Sequence, residues 1–296
     1  MNGLGAFVRR KTALVALAMC LVVTGMAVFA PVLSPADPNA TDLAIRLENP
    51  SLTHPLGTDH LGRDILSRLM YGARISLGSA AIIVALVLGL SLAVGLLAGY
   101  AGGPVDAALM RLCDVFLTFP TFILAMFMVG ILGMGLTNVI LAIVLTHWAW
   151  YARIIRGLTL SLKNREYVLA ARAAGTPPLK LATRHILPGV FVQLVVLATL
   201  DIGHMMLHVS GLSFLGLGVR PPTPEWGVMI NDARQYIATR PLLILYPGLM
   251  IFLTVMSFNL LGDALRDALD PALAAQPAES EAEGAARASL RPEVEP

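Results

Sequence analysis

Residues 201–211 read DIGHMMLHVSG and follow the apolar run LPGVFVQLVVLATL at 187–200. Asp201, His204 and His208 stand at i, i+3 and i+7, so a helix puts all three on one face. Imidazole suits Ni, Cu, Zn and Fe, and a carboxylate adds a hard oxygen ligand. Ionisable groups inside an apolar span face a bundle interior or an aqueous path. A second candidate, His147, sits in another apolar run beside Trp148, Trp150 and Tyr151. The four side chains are therefore candidate transient ligands for a passing divalent cation, since conduction needs weak binding. Met205 and Met206 point to neighbouring faces and offer thioethers, which prefer softer metals. The plainer reading also stands. In it the histidines are neutral and hydrogen-bond to a partner, with Asp201 as the orienting acceptor.

These residues need elements to position them, and composition says which. Of 296 residues, 56% are hydrophobic and 14% charged, against about 25% charged in a soluble domain. Residues 12–33, 75–105, 115–152, 187–200 and 241–262 carry no charge. A spanning helix needs about 20 apolar residues. The expectation is an all-α polytopic membrane protein with six transmembrane helices, near 12–32, 77–100, 112–132, 138–158, 189–210 and 243–262. The sequence GMGLTN (133–138) supplies the turn inside the longest run. The first apolar stretch is too long for a signal-peptide core of roughly 7–15 residues and reads as a retained helix. Cys20 and Cys113 are isolated, so neither a disulfide framework nor a zinc ribbon has support. The net charge of +2 is spread along the chain, with no basic stripe for nucleic acid.

Charge placement orients the helices. Residues 152–185 hold seven Lys or Arg against the single acid Glu166, whereas 34–76 hold four Arg against five acids. The positive-inside rule puts the first stretch, with Arg9, Arg10 and Lys11, in the cytoplasm. Both termini are then cytoplasmic. The expected organisation is an N-terminal end and first helix at 1–33, an extracytoplasmic segment at 34–75, a transmembrane domain at 76–270 with a cytoplasmic loop at 159–188, and a disordered tail at 271–296. That tail is rich in Ala, Glu and Pro and has little to bury.

The loop NREYVLAARAAGTPPLKLATRHILPG (164–189) predicts a short helix over 165–174. Gly175, Pro177 and Pro178 end it. A second helix at 179–186 then leads to Pro188. A short helix held by a glycine stop between two spans can dock another protein and pass its motion to the membrane. The loop resembles the EAA loop of binding-protein-dependent ABC importers, E-A-A-x3-G-x9-I-x-L-P, at Ala170, Ala171, Gly175, Leu187 and Pro188. Leu169 stands at the family's Glu position and His185 at its Ile position, with Glu166 one turn earlier as the nearest acid. LGTDHLGRDILSRLMYGARISLGS (56–79), SFLGLG (213–218), PPTPEWGVMINDARQYI (221–237) and FNLLGDALRDALDP (258–271) are similar to the peptide/nickel branch of these permeases. LTHWAWYARIIR (145–156) and LATLDIGHMMLHVSGLSFLGLG (197–218) look most like its nickel-transporting members.

The resemblance implies a type I importer permease in the inner membrane of a bacterium. It implies a second permease chain, two ATPase subunits and an extracytoplasmic solute-binding protein as partners. No cofactor is expected on this chain. Its only lysines, Lys11, Lys163 and Lys180, belong to no P-loop, so ATP is expected on the partner subunits. The alternative cargo is a dipeptide, an oligopeptide or a metallophore complex. An intramembrane metalloenzyme using the same histidines has little support, because it needs a general base beside them and HMMLH carries Met where HExxH has its Glu. His54 and His60 read as capping or partner-contact residues, with Asp59, Arg63 and Asp64 pairing locally.

Overall fold

A computed structural model describes residues 11–269. The expected tail and the basic Arg9 and Arg10 lie outside the described residues. Among those described, secondary structure is helical apart from one isolated bridge between Thr58 and Asp64.

Helix α1 (Lys11–Leu33) buries Ala13, Ala16, Cys20, Val23, Ala27 and Ala30. Their alternating three- and four-residue spacing makes one small-residue face, which lets the helix approach its neighbours closely. The opposite face exposes Leu21, Val22, Phe29 and Val32, as a lipid-facing surface would. An irregular stretch follows, interrupted by a single 3-10 turn at Leu43–Ile45.

Helix α2 (Ile65–Ala101) runs 37 residues, about 55 Å at 1.5 Å per residue. It begins inside the segment expected at 34–75 and twelve residues before the span expected at 77–100. Asp64 caps it by accepting from the Ser67 amide at 2.7 Å. The extra turns are held from outside the helix. Arg68 donates to the carbonyls of Pro38 at 3.0 Å and Pro222 at 3.2 Å. Trp226 lies over Gly72, where a Cβ would come within 2.8 Å of its ring.

The third expected span, 112–132, is not one helix. Helices α3 (Gly103–Thr118) and α4 (Thr121–Leu132) meet at 88°. Pro120 removes an amide donor and forces Phe119 into an extended conformation (φ −96°, ψ 141°), which ends α3. Helix α5 (Leu136–Lys163) packs along α2. Gly95 makes that approach possible, since a Cβ there would sit 2.5 Å from the Ala152 carbonyl oxygen.

Helix α6 (Glu166–Ala173) and α7 (Pro178–Leu181) form the loop, and α8 (Leu187–Phe214) follows. The second loop helix, expected over 179–186, is only one turn long. It passes through a π turn at Ala182–Ile186 into α8. Pro188, which cannot donate to the ladder, lies just beyond that turn. Short helix α9 (Trp226–Ala233) leads to α10 (Leu242–Leu269), which packs on α1 and α8. Among the described residues, five helices are long and apolar enough to cross a membrane, and the bent α3–α4 pair brings the number to six if it counts as one span.

Candidate functional site

Helices α5 and α8 and the α3–α4 bend line an open pocket of about 360 Å³. His147 comes from α5, and Asp201, His204 and His208 come from α8. All four line it. The shared helical phase of 201, 204 and 208 thus becomes a shared wall, and His147 joins them from across the cavity.

Asp201 is the centre of the group. Its side chain is 1% exposed, against 17% for His147 and 64% for His204. Its Oδ1 lies 3.9 Å from His147 Nε2 and 3.9 Å from His204 Nδ1. Its Oδ2 and the Nδ1 of His147 are buried without a hydrogen-bond partner. The rings of His147 and His208 stand edge to face with centroids 5.6 Å apart. His208 Nδ1 lies 2.9 Å from the His204 carbonyl oxygen. As that oxygen can only accept, the contact assigns the proton to Nδ1 and leaves the Nε2 lone pair free.

The four groups converge without closing. Among the described residues, no group of three or more His, Cys, Asp or Glu has the geometry to hold a metal ion. Met205 and Met206 are fully buried in the helical core and do not line the cavity. Trp148 also turns inward, against Phe116 at 5.4 Å. Leu117 and Thr121 line the cavity from either side of the bend. Sequence reasoning did not name them, because helical phase alone does not say which face of the 112–132 span meets α5 and α8. The available signal was Pro120.

The first helix of the loop between α5 and α8 ends as its pattern suggests. Gly175 takes φ +80°. Its amide donates to the Arg172 carbonyl at 3.0 Å, and the Thr176 amide donates to Ala171 at 3.1 Å. These two bonds form a Schellman stop. Val168 alone in α6 is buried, while Tyr167, Leu169 and Leu179 project as exposed apolar groups. Glu166, Ala170 and Gly175 are exposed, and Ala171 is half-buried. Leu187 and Pro188 begin α8. The Tyr167 hydroxyl donates to the His185 carbonyl at 3.2 Å and clips α6 to the turn ahead of α8.

On the opposite side from this loop, local pairing prevails. His54 Nδ1 meets Asp64 Oδ1 at 3.0 Å, and His60 stacks on Tyr236 at 5.7 Å. Arg63 Nε donates to Asp59 Oδ2 at 2.6 Å, and its Nη2 reaches Asp232 at 3.3 Å. Sequence reasoning did not find Asp232 or the wholly buried Glu225, because both contacts join segments far apart in the chain.

Two family descriptions match the chain. "Binding-protein-dependent transport system inner membrane component" matches residues 91–275, and "N-terminal TM domain of oligopeptide transport permease C" matches residues 4–50. The nickel transport system permease protein NikC of Escherichia coli K12 is 61% identical over 233 residues, covering 79% of this chain and 84% of that one. The glutathione transport system permease protein GsiD of Pectobacterium atrosepticum is 44% identical over 264 residues, covering 88% and 87%. The dipeptide transport system permease protein DppC of Alkalihalophilus pseudofirmus is 41% identical over 261 residues, covering 88% and 85%. With membrane-length helices, an ionisable cluster on α5 and α8 and a glycine-stopped loop already in place, these matches fix the family: the chain belongs to the inner membrane components of binding-protein-dependent transport systems, permeases of the peptide/nickel branch.

Proposed function

We propose that this chain is a permease subunit of an ATP-binding cassette importer and that its cargo is nickel. The observation that carries the cargo is the cavity where Asp201, His147, His204 and His208 converge with unpartnered atoms at Asp201 Oδ2 and His147 Nδ1. The 61% identity to a nickel permease supports the same reading. His208 offers Nε2, Asp201 offers a carboxylate, and His147 and His204 complete a loose set of transient ligands. Such a set holds a cation long enough to strip part of its water and releases it when the bundle moves.

In this reading the bent α3–α4 pair counts as one of six spans and both termini face the cytoplasm. A second permease chain supplies the other half of the path, and a solute-binding protein delivers cargo to the outer face. Two ATPase subunits hydrolyse ATP and receive the loop 159–188. Glu166, Ala170, Ala171 and Gly175 make the docking helix and its stop, and Leu187 and Pro188 join it to α8. The lower identities to glutathione and dipeptide permeases keep a peptide or chelated cargo as the second reading.

The test is nickel uptake in cells that carry the whole importer. Exchange of His204 and His208 together for Gln is expected to lower uptake about 10- to 100-fold per assembled complex, the range for weakening a metal site. Undiminished uptake by a normally assembled double variant rejects the role of the two imidazoles.

A further inference from the structure

Two ion pairs join α3 to α5 on the loop side of the pocket. Arg156 meets Asp106 with both arms of its guanidinium: Nε donates to Oδ1 at 2.5 Å and Nη2 to Oδ2 at 2.6 Å. Arg153 meets Asp114 through Nη2 and Oδ1. The two arginines stand at i and i+3 on α5 and share a face. The pairs differ in how open they are. The Arg156 and Asp106 side chains are 33% and 16% exposed, whereas those of Arg153 and Asp114 are 47% and 54% exposed. A forked pair away from water is strong and fixed in geometry. A single contact between half-exposed groups is weak and opens at little cost.

The weaker pair is also the one beside the pocket. Leu117 and Trp150 line the pocket. Each stands about one helical turn from the pair, Leu117 after Asp114 on α3 and Trp150 before Arg153 on α5. Arg153 lies ten residues before the end of α5 at Lys163, about 15 Å at 1.5 Å per residue. It therefore stands within the span and not beyond it. A half-exposed charge at that depth faces an aqueous path or another protein, not lipid. We propose that Arg153 and Asp114 form the inner gate of the path through this subunit, and that Arg156 and Asp106 form the pivot that stays closed while the gate opens. This rests on the reading of the pocket as part of the translocation path and deepens it by naming what holds the path shut toward the cytoplasm. When α5 moves with the loop, the exposed pair parts first and α3 swings about the forked one. Cargo then leaves the pocket between Leu117 and Trp150.

A purely structural role for both pairs predicts that either can be locked without loss. The gate predicts that only one can. The whole importer is reconstituted in vesicles with Cys20 and Cys113 replaced. Cysteines are introduced as Asp114→Cys with Arg153→Cys, or as Asp106→Cys with Arg156→Cys, and each pair is joined by a short bismaleimide. ATP-driven uptake of radioactive nickel, supplied as the chloride and as an amino-acid chelate, is compared before and after linking. The loss of native charges is then common to both sides of each comparison. Uptake is expected to fall to the ATP-free level with the 114–153 link and to keep its unlinked level with the 106–156 link. Equal effects of the two links, whether both block or neither does, overturn the inference.

A second measurement needs no transport. A cysteine introduced as Leu117→Cys is labelled by an impermeant thiol reagent from the cytoplasmic side of the reconstituted complex. Asp114→Asn is expected to speed that labelling about two- to fivefold, the population change that loss of one exposed ion pair gives. Exchange of the two charges, Asp114→Arg with Arg153→Asp, is expected to restore the slow rate. Equal rates in all three complexes overturn the inference. The gate and the cargo readings fail separately. An importer that takes up a peptide and not nickel, and loses that uptake with the 114–153 link, removes the nickel assignment and keeps the gate. Nickel uptake lowered by exchange of His204 and His208 for Gln, and untouched by the 114–153 link, does the reverse.

Discussion

Glu225 shows how much one buried acid can organise. It caps α9 through the Val228 amide, holds Ser76 of α2 and holds Ser210 of α8. The neighbouring Trp226 donates from Nε1 to the Leu69 carbonyl at 3.0 Å. Glu225→Ala strips the cap and orphans two buried hydroxyls. Unsatisfied groups of this kind cost about 1–3 kcal/mol. The melting temperature of the purified complex is expected to fall accordingly, and Glu225→Gln, which keeps an acceptor oxygen, is expected to fall less. An alanine variant that melts with the unsubstituted complex contradicts this account.

At the scale of elements, two stops decide the architecture. Pro120 converts an expected straight span into the 88° α3–α4 bend and carries Thr121 to the cavity. Gly175 converts the loop into a short helix with a fixed exit. A β-branched residue is poorly tolerated at φ +80°, with a left-handed cost of roughly 1–2 kcal/mol. Gly175→Val is therefore expected to disturb the Schellman stop and the direction in which α6 projects. If α6 docks the ATPases, the variant importer hydrolyses ATP without matching transport. The check is the ratio of cargo taken up to ATP consumed in reconstituted vesicles, where an unchanged ratio argues against the coupling role.

At the scale of the whole molecule, α5 connects the loop to the cavity. It carries His147, and below it Arg156 grips Asp106 of α3 with Nη2 2.6 Å from Oδ2. Arg153 pairs with Asp114, and Lys163 donates to the Tyr100 carbonyl at 2.6 Å. Movement of α6 would thus reach α3 through two tethers and the end of α2 through the third. The proposed topology is open to direct measurement. Cysteines placed at Asp37 and at Glu166, in a chain whose Cys20 and Cys113 are replaced, are expected to react with an impermeant thiol reagent only from outside and only from inside respectively. Both reacting from one side would overturn the six-span arrangement.

Apolar run length, charge asymmetry and the Gly-Thr-Pro-Pro stop are local properties, so the sequence alone determined a helical membrane protein with a glycine-stopped loop. Helical phase also put Asp201, His204 and His208 on one wall. It could not bring His147 across to them, turn Met205 and Met206 into the core or place Thr121 at the bend, because those depend on how separate helices pack. Pairings such as Arg63 with Asp232 and Ser76 with Glu225 span more than a hundred residues and carry no periodic signal. Only the tertiary structure could decide which buried carboxylates find donors. Hydrogen-bond satisfaction is a property of neighbours in space and not of neighbours in the chain.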